Sequence, residues 1–319
     1  MTKKVLLIGL NYHSYTVEIV RALREQGHEV HFHDIQPAKP WLKVLRRIES
    51  PRYGAALDRY HATILAAERG WRADLVLFIQ VHQMSQQNLI TLRRDQPSAE
   101  FVLYNWDAVS NHDYRPWLHH FNRVYTFDPS DAKTLGLHYL PLFCTPAFQN
   151  LQRRDATGHS VYTVGNVANP KRYDAVQAFK RYCREHDLEF KYFLAVSNNI
   201  FLTLMRNGHF PLDVSWQEIS RPAFIDMMET SSAVFDFANH QQVGYTMRTI
   251  ENLCAGKKII TNNAAIRNEP FYSADRIHVF EDFDFSGVKA FLARPLHNPG
   301  ATFPEFHLSS FVRQLVGDR

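Results

Sequence analysis

Short apolar runs alternate with amphipathic segments along the first half of the chain, and this alternation predicts an α/β fold. Buried strands are predicted at the apolar runs, namely Lys4–Leu10, Glu29–Ile35, Asp74–Gln80, Phe101–Trp106 and Arg123–Phe127. The stretches between them read as helices, and the first of these is ended by a glycine. Strands that alternate with helices indicate a parallel sheet with right-handed crossovers.

The pattern breaks around Pro141–Asp155 and then begins again. A new strand is predicted at Ser160–Val164, followed by a helix from about Tyr173 to Glu185 and a strand at Glu189–Leu194. We therefore expect two Rossmann-like domains, one comprising residues 1–150 and the other residues 151–319.

One segment of the second half, Ser231–Asn263, predicts a complete β-loop-α-β unit. Its strand Ala233–Phe237 leads through a polar turn containing Gly244 into a helix that begins at about Thr246, and the strand Lys258–Thr261 follows. Ligands of such units lie at the carboxyl ends of the strands, where the unpaired N–H groups of a helix N-terminus can bind a phosphate. The segment therefore predicts a phosphate site.

The polar residues of this segment suit a nucleotide-sugar donor. Arg248 and Glu251 are three positions apart, so they share a helix face and can reach one ligand, the Arg at a diphosphate and the Glu at ribose hydroxyls. The alternative is that the two pair with each other on a solvent-exposed face. Further predicted donor-binding residues are Gly244, Tyr245 and Thr246 at the loop, and Gly165, Lys171 and Arg172 after the first strand of the second domain. The two basic loop residues could equally be solvated surface.

This segment resembles the donor-site signature of GT-B glycosyltransferases. Its amino-acid sequence is similar to that of a bacterial family assigned to lipopolysaccharide and capsular polysaccharide biosynthesis. The matching positions are Gly244, Thr246, Arg248, Glu251, Leu253, Lys257, Lys258, Thr261 and Asn263. The resemblance implies an α/β, GT-B-like fold with two Rossmann-like domains whose parallel sheets face an interdomain cleft. It also implies an acceptor-side first domain, a donor-binding second domain and a terminal helix, about Leu308–Val316, that crosses back. The implied activity is transfer of a sugar from a nucleotide-sugar donor to a saccharide or lipid-linked saccharide acceptor.

The first domain carries candidates for the catalytic base and for acceptor contacts. Asp107 ends a predicted strand, where a carboxylate can take a proton from an acceptor hydroxyl; the alternative is that it caps the next helix with Ser110. The resemblance also implies a Trp-Asp pair here, which Trp106 and Asp107 form. His13 and Asn11, after the first strand, are competing candidates for base or acceptor contact.

A basic, amphipathic stretch follows the second strand. Lys43, Arg46 and Arg47 interleave with apolar residues, as expected of an ordinary amphipathic helix or of one that contacts an anionic acceptor or a membrane surface.

Composition narrows these possibilities. The 319 residues have a net charge of +4, and the three cysteines have no metal or redox spacing, as is usual in a reducing cytosol. No zinc-finger, RNP or KH pattern predicts nucleic-acid binding, and no apolar stretch approaches the ~20 residues that span a bilayer. We expect a cytoplasmic or peripheral enzyme with no cofactor. We also expect no metal, since the triplet Asp282–Asp284, which formally matches a D-x-D metal motif, lies near the C-terminus. A nucleotide-sugar 2-epimerase of the same fold and a non-catalytic sugar-nucleotide-binding subunit remain alternatives, and the oligomeric state stays open.

Overall fold

The computed structural model describes residues 2–11, 15–37, 40–47, 52–151, 159–238 and 244–317. The chain divides into two units. The first unit comprises Met1–Thr145, Gln241–Tyr245 and Pro304–Arg319, and the second comprises Pro146–His240 and Thr246–Phe303.

The first unit is built on a parallel sheet of six strands in the order β2-β1-β3-β4-β5-β6. Its strands are β1 (Lys4–Gly9), β2 (Glu29–Asp34), β3 (Leu75–Ile79), β4 (Glu100–Asn105), β5 (Arg123–Thr126) and β6 (His138–Tyr139). All five residues of β3 are fully buried, as is usual for a central parallel strand that is covered on both faces.

Among the described residues of the first unit, six α-helices occur: α1 (Tyr15–Glu25), α2 (Pro40–Arg47), α3 (Arg52–Glu68), α4 (Gln86–Asp95), α5 (Pro129–Leu135) and α12 (Leu308–Val316). The last of these, α12, packs against α1 and the sheet. Arg123 of β5 donates to the carbonyls of Gln314 and Leu315 over 3.2 and 3.1 Å, so a guanidinium satisfies carbonyls at the end of the helix. The ring of Phe311 meets that of Tyr104 edge-on, with centroids 4.8 Å apart.

The second unit is built on a parallel sheet of five strands in the order β11-β10-β9-β7-β8. These are β7 (Ser160–Asn166), β8 (Glu189–Ala195), β9 (Ala233–Asp236), β10 (Lys258–Thr261) and β11 (Ile277–Val279). Its helices are α6 (Pro146–Gln149), α7 (Pro170–Glu185), α8 (Asn198–Arg206), α9 (Arg221–Glu229), α10 (Met247–Cys254) and α11 (Val288–Ala293). Phe179 of α7 stacks on Phe235 of β9 at 4.3 Å, at the centre of an aromatic core.

The predicted α/β class with two parallel sheets is confirmed. The predicted bounds of Lys258–Thr261 and Leu308–Val316 are those of β10 and α12, and the other predicted strands end within two residues of their predicted positions. One local prediction is wrong: Lys171 and Arg172 do not lie in a loop. They belong to the first turn of α7, because Asn169 caps that helix and Pro170 begins it. No helix of the described residues is long and apolar enough to cross a membrane.

Candidate functional site

The order of the second sheet reverses beside β7, since β7 lies between β8 and β9 and precedes both in the chain. In open α/β sheets, ligands bind outside the carboxyl ends of the strands at such a reversal. Gly165 lies near the end of β7, and Asp236 is the last residue of β9. The segment chosen from the sequence therefore reaches the part of the sheet where a ligand is expected.

Asp236 is fully buried and organises this edge. Its Oδ1 lies 2.6 Å from Nη1 of Arg248, and its Oδ2 accepts hydrogen bonds from the hydroxyls of Thr246 and Thr249 over 2.7 and 2.6 Å. Burial opposes the charge of Asp236, but Arg248, the two hydroxyls and Arg172 outweigh burial and lower the pKa of its carboxyl. The carboxylate therefore stays ionised and fixes the start of α10, where Thr246 is the N-cap.

Two guanidinium groups converge over Gly165. Arg248 donates to the carbonyl of Val164, and a Cβ placed on Gly165 would lie 2.5 Å from Nη2 of Arg248 and 3.0 Å from Nη2 of Arg172. A side chain at this position would push both guanidinium groups aside, so the glycine permits their close approach.

The guanidinium of Arg172 makes no hydrogen bond or ion pair with the described residues, and Asp236 attracts it only at longer range; its backbone N–H donates to Asn169. Burial and the charge of Arg248 lower the pKa of Arg172 to about 10. Two cations and one buried carboxylate thus leave a positive excess beside the N-termini of α7 and α10, whose own dipoles favour an anion.

A second set of hydrogen bonds holds α10 to β7. The hydroxyl of Tyr162 donates to Asn252 Oδ1 over 2.9 Å, and Asn252 Nδ2 donates to the backbone carbonyl of Arg248 over 2.8 Å. Because this network fixes the helix backbone at Arg248, it also restricts where the guanidinium of that residue can lie.

Glu251 lies one turn further along α10 and is only 4% exposed. The alternative that it pairs with Arg248 on a solvent-exposed face is therefore wrong, since Arg248 pairs with Asp236. Its predicted contact with ribose stays a prediction. Lys171, in contrast, is exposed.

The two lysines of the resemblance are buried and have structural partners. Lys257 Nζ donates to the carbonyl of Ser231 over 2.5 Å, and Lys258 Nζ donates to the carbonyls of Phe291 and Leu292 over 2.6 and 2.9 Å. Lys258 thereby satisfies carbonyls in the last turn of α11.

Gly244 and Tyr245 belong to the first unit. Tyr245 is buried, and Gly244 N–H donates to Asp128 Oδ2 over 3.3 Å. A Cβ on Gly244 would lie 2.6 Å from two ring atoms of Phe127 and 2.8 Å from its carbonyl oxygen. Close packing accounts for this glycine, and its predicted use as a phosphate-binding amide stays untested.

The carboxyl edge of the first sheet carries Asp107, two residues after β4. Gln80 Nε2 donates to its Oδ2, and Asn111 Nδ2 lies 3.5 Å from its Oδ1. Burial raises the pKa of Asp107, against the opposing effects of His112, Asn111 and Gln80. The alternative role as a helix cap fails, because a turn and not a helix follows at residues 109–111.

One histidine, His112, acts on this carboxylate and stacks on a second, His82. The rings of His82 and His112 stack with centroids 4.0 Å apart and planes 8° apart. Burial and the neighbouring His112 lower the pKa of His82 to about 4, so His82 is neutral at physiological pH. Gln80 itself has a φ of 63°, a left-handed conformation that is strained for a residue with a side chain.

Of the remaining predicted residues of the first unit, Asn11 and Arg46 line one small cavity. Trp106 is half-buried between β4 and Asp107, and Asn11 is exposed after β1. Lys43, Arg46 and Arg47 lie on α2, and of these the structure describes the side chain of Arg46, which is exposed. His13 lies outside the described residues.

Sequence reasoning missed the supporting residues of both edges. Asp236 lies inside the predicted strand Ala233–Phe237, and its role depends on Arg248, a partner twelve residues away. Nothing in the sequence indicates the positive φ of Gln80, because glutamine does not favour that conformation. Asp34, the last residue of β2, was read as part of the strand.

Comparison with known proteins identifies the fold. No protein-family model matches the chain, and no curated protein matches it in sequence. Among solved structures, the chain is similar to the lipopolysaccharide outer core galactosyltransferase WaaB, with 13% identity, a TM-score of 0.59 and coverage of 98% of this chain and 99% of that one. It is also similar to the alpha,alpha-trehalose 6-phosphate synthase of Burkholderia multivorans, with 12% identity, a TM-score of 0.63 and coverage of 100% and 96%.

A putative UDP-N-acetylglucosamine 2-epimerase of Listeria monocytogenes has the same architecture, with 9% identity, a TM-score of 0.55 and coverage of 99% and 95%. The chain therefore has the GT-B fold over its whole length. Since transferases and an epimerase share that fold, the choice of activity rests on the residues of the two edges.

Proposed function

We propose that this protein is a glycosyltransferase that takes its sugar from a nucleoside diphosphate sugar and transfers it to a saccharide acceptor. The second unit binds the diphosphate, with Arg172 and Arg248 as its cationic ligands. Glu251 contacts the ribose, and Lys171 is a weaker candidate because it is exposed. The finer assignment, to bacterial lipopolysaccharide or capsule synthesis, is supported by the sequence resemblance and by the similarity to WaaB.

The observation that carries this proposal is the pair of guanidinium groups over Gly165. A diphosphate would supply the anionic partner that the Arg172 guanidinium lacks among the described residues, and charge-assisted hydrogen bonds to phosphate are strong. In the transfer step the same groups stabilise the negative charge that develops on the departing diphosphate.

The first unit supplies the acceptor side of the reaction. Asp107 is the proposed base: it takes a proton from the acceptor hydroxyl if the sugar is transferred with inversion. Trp106, Asn11 and the basic helix α2 are the proposed acceptor contacts, and α2 is also the proposed site of peripheral contact with an anionic membrane.

The decisive experiment is calorimetric titration with UDP, GDP, ADP and CMP. Arg172→Ala should weaken binding of the preferred nucleotide by roughly 10- to 100-fold, which corresponds to losing one hydrogen bond between charged groups. The melting temperature should not fall, because the Arg172 guanidinium makes no hydrogen bond with the described residues.

The matched control is Arg184→Ala, which removes the same charge from the exposed far end of α7. Equal losses of nucleotide affinity in the two variants would show that only the net charge of the protein matters, and would overturn the assignment of Arg172 to the diphosphate site. A variant Lys171→Ala decides whether the exposed neighbour contributes.

Metal independence is part of the proposal. Arginines and helix N-termini replace a divalent cation at the phosphates, so turnover should survive an excess of EDTA. Loss of activity in EDTA that manganese restores would move attention to Asp282 and Asp284, which lie in the turn before α11.

The epimerase alternative is separated by product analysis. Incubation of the preferred nucleotide sugar without acceptor should give slow hydrolysis by a transferase, whereas an epimerase would return an isomeric nucleotide sugar. Binding without either product would indicate a non-catalytic sugar-nucleotide-binding subunit.

A further inference from the structure

A small cavity of about 170 Å³ lies in the first unit at the carboxyl ends of β1 and β2. It is smaller than the ~300–1,000 Å³ of pockets that hold drug-sized ligands, so it suits a single sugar ring. The lining residues come from both strand ends and from α2 and α3: Leu10, Asn11, Asp34, Gln36, Pro37, Leu42, Arg46 and Tyr53.

One carboxylate oxygen in this cavity lacks a partner. Oδ1 of Asp34 accepts the backbone N–H groups of Gln36 and Asn11 over 2.8 and 3.3 Å, which fixes the orientation of the carboxylate. Oδ2 accepts no hydrogen bond from the described residues. Burial raises the pKa of Asp34, against the opposing effect of these two N–H groups. Asp34 is thus a half-buried, oriented acceptor with one oxygen available to hydroxyl donors.

A cation lines the same cavity without pairing with that carboxylate. Arg46 of α2 makes no ion pair within 4 Å among the residues that the structure describes, Asp34 included. The other lining side chains include apolar and weakly polar ones: Leu42 and Pro37 are buried, and Gln36 Nε2 lies 3.4 Å from the hydroxyl of Tyr53. A ligand that pairs with both side chains carries hydroxyl donors for Asp34 and an anionic group for Arg46.

We propose that this cavity binds a sugar ring that carries a phosphate or carboxylate group, with ring hydroxyls donating to Asp34 and the anionic group paired with Arg46. A neutral sugar would leave Arg46 without a partner, and a simple anion would leave Asp34 without one. Resting on the proposed transferase function, the assignment defines the acceptor as an acidic saccharide; the binding itself can be measured alone.

The experiment titrates the full chain with sugars in matched pairs and follows binding by calorimetry. The probes are hexose 1-phosphates, hexose 6-phosphates, glucuronate and galacturonate, each compared with its parent hexose, together with inorganic phosphate. At least one acidic sugar should bind tenfold or more tightly than its parent hexose and than phosphate. The phosphate and uronate arms show which anion the cavity prefers.

Two substitutions test the residues. Arg46→Gln should abolish the preference for the acidic sugar, and Asp34→Asn should weaken binding of both members of the pair at least tenfold. The matched control is Arg59→Gln, an exposed arginine of α3 that does not line the cavity. Melting temperatures within two or three degrees of the parent would show that the variants are folded.

The outcomes separate this proposal from the transferase assignment. Failure of every acidic sugar to bind, or equal losses in Arg46→Gln and Arg59→Gln, would overturn the cavity assignment while leaving nucleotide binding at Arg172 intact. Binding of an acidic sugar by a protein that binds no nucleotide would keep the cavity and overturn the transferase.

Discussion

The carboxyl edges of the two sheets place buried or half-buried carboxylates in opposite surroundings. In the second unit, Asp236 is held by Arg248 and two hydroxyls, and its pKa is lowered. In the first unit, Asp107 and Asp34 face amides and backbone N–H groups, and burial raises the pKa of both. The same position at a strand end therefore gives a fixed anion in one unit and a receptive one in the other.

This difference separates two kinds of chemistry. Where the Arg248 guanidinium neutralises the carboxylate of Asp236, that carboxylate has a structural role. The second guanidinium, that of Arg172, is then available for an anion. Where uncharged donors hold the carboxylate, one of its oxygens remains able to accept a proton or a hydrogen bond from a hydroxyl group. Substitutions at the two edges should accordingly differ in kind: loss of stability in one, loss of turnover in the other.

The largest effect is expected at Asp107. Asp107→Asn should reduce turnover by roughly 10²–10⁴-fold, the usual contribution of a positioned proton transfer. Donor affinity should hardly change, because the proposed diphosphate ligands belong to the second unit, and the melting temperature should hardly change, because Asp107 forms no ion pair among the described residues. Steady-state kinetics with calorimetry of the donor checks this; a variant that keeps most of its turnover would remove Asp107 as base and leave His13 as the next residue to test.

The second effect concerns stability. Asp236→Asn should destabilise the second unit by about 3–5 kcal/mol, because it leaves the half-buried Arg248 guanidinium without its anion. Since the pKa of Asp236 is lowered by folding, this contribution should be present at neutral pH and disappear as pH falls through its folded pKa. Urea titrations at pH 7 and at acidic pH measure both; a melting temperature equal to that of the parent at pH 7 would contradict it.

A third prediction uses the strained glutamine that supports Asp107. Gln80→Gly should keep or raise the melting temperature, because glycine adopts a φ of 63° without strain. Turnover should fall about tenfold with the loss of a hydrogen bond to a charged group. Without that donor the pKa of Asp107 rises, so the acidic limb of the pH–rate profile should move to higher pH.

Comparison with Gln80→Ala, which removes the amide but keeps the strain, isolates the conformational effect. A large loss of stability in the glycine variant would show that Gln80 is structural, and an unmoved acidic limb would show that it does not tune Asp107.

The smallest effect lies away from either edge. His33 and His31 of β2 contact the buried Glu68 over 2.6 and 2.9 Å. Burial would raise the pKa of Glu68, but these hydrogen bonds outweigh burial and lower it. Glu68→Gln should therefore cost roughly 1–3 kcal/mol at pH 7, and the difference should vanish as pH falls through the folded pKa. Thermal unfolding across pH 3–7 measures it; a constant difference would be contrary evidence.

The sequence predicted the sheets well because buried parallel strands are short, nearly continuous apolar runs. It misplaced Lys171 and Arg172 although Asn169-Pro170 is a helix-start signal, since a basic pair after a strand also suits a loop. Thr246 and Arg248 lie at the start of α10, which follows β9, and Gly165 lies near the end of the neighbouring strand β7. The β-loop-α-β pattern implies that the start of this helix lies at the carboxyl edge of the sheet. Asp34, Gln80 and Asp236 act through partners that are distant in the chain, and no local pattern encodes such pairings.

The packing of α12 in the first unit has a consequence for synthesis. Residues 304–317 complete a unit whose strands lie in the first 145 residues, and Cys144 N–H donates to the carbonyl of Phe306 over 2.7 Å. During translation the first unit must wait for the last helix, with the ends of β4 and β5 uncovered in the meantime, while the second unit is already complete as a ribosome reaches residue 304. A chain released a few residues early would therefore carry a finished second unit and an unfinished first unit.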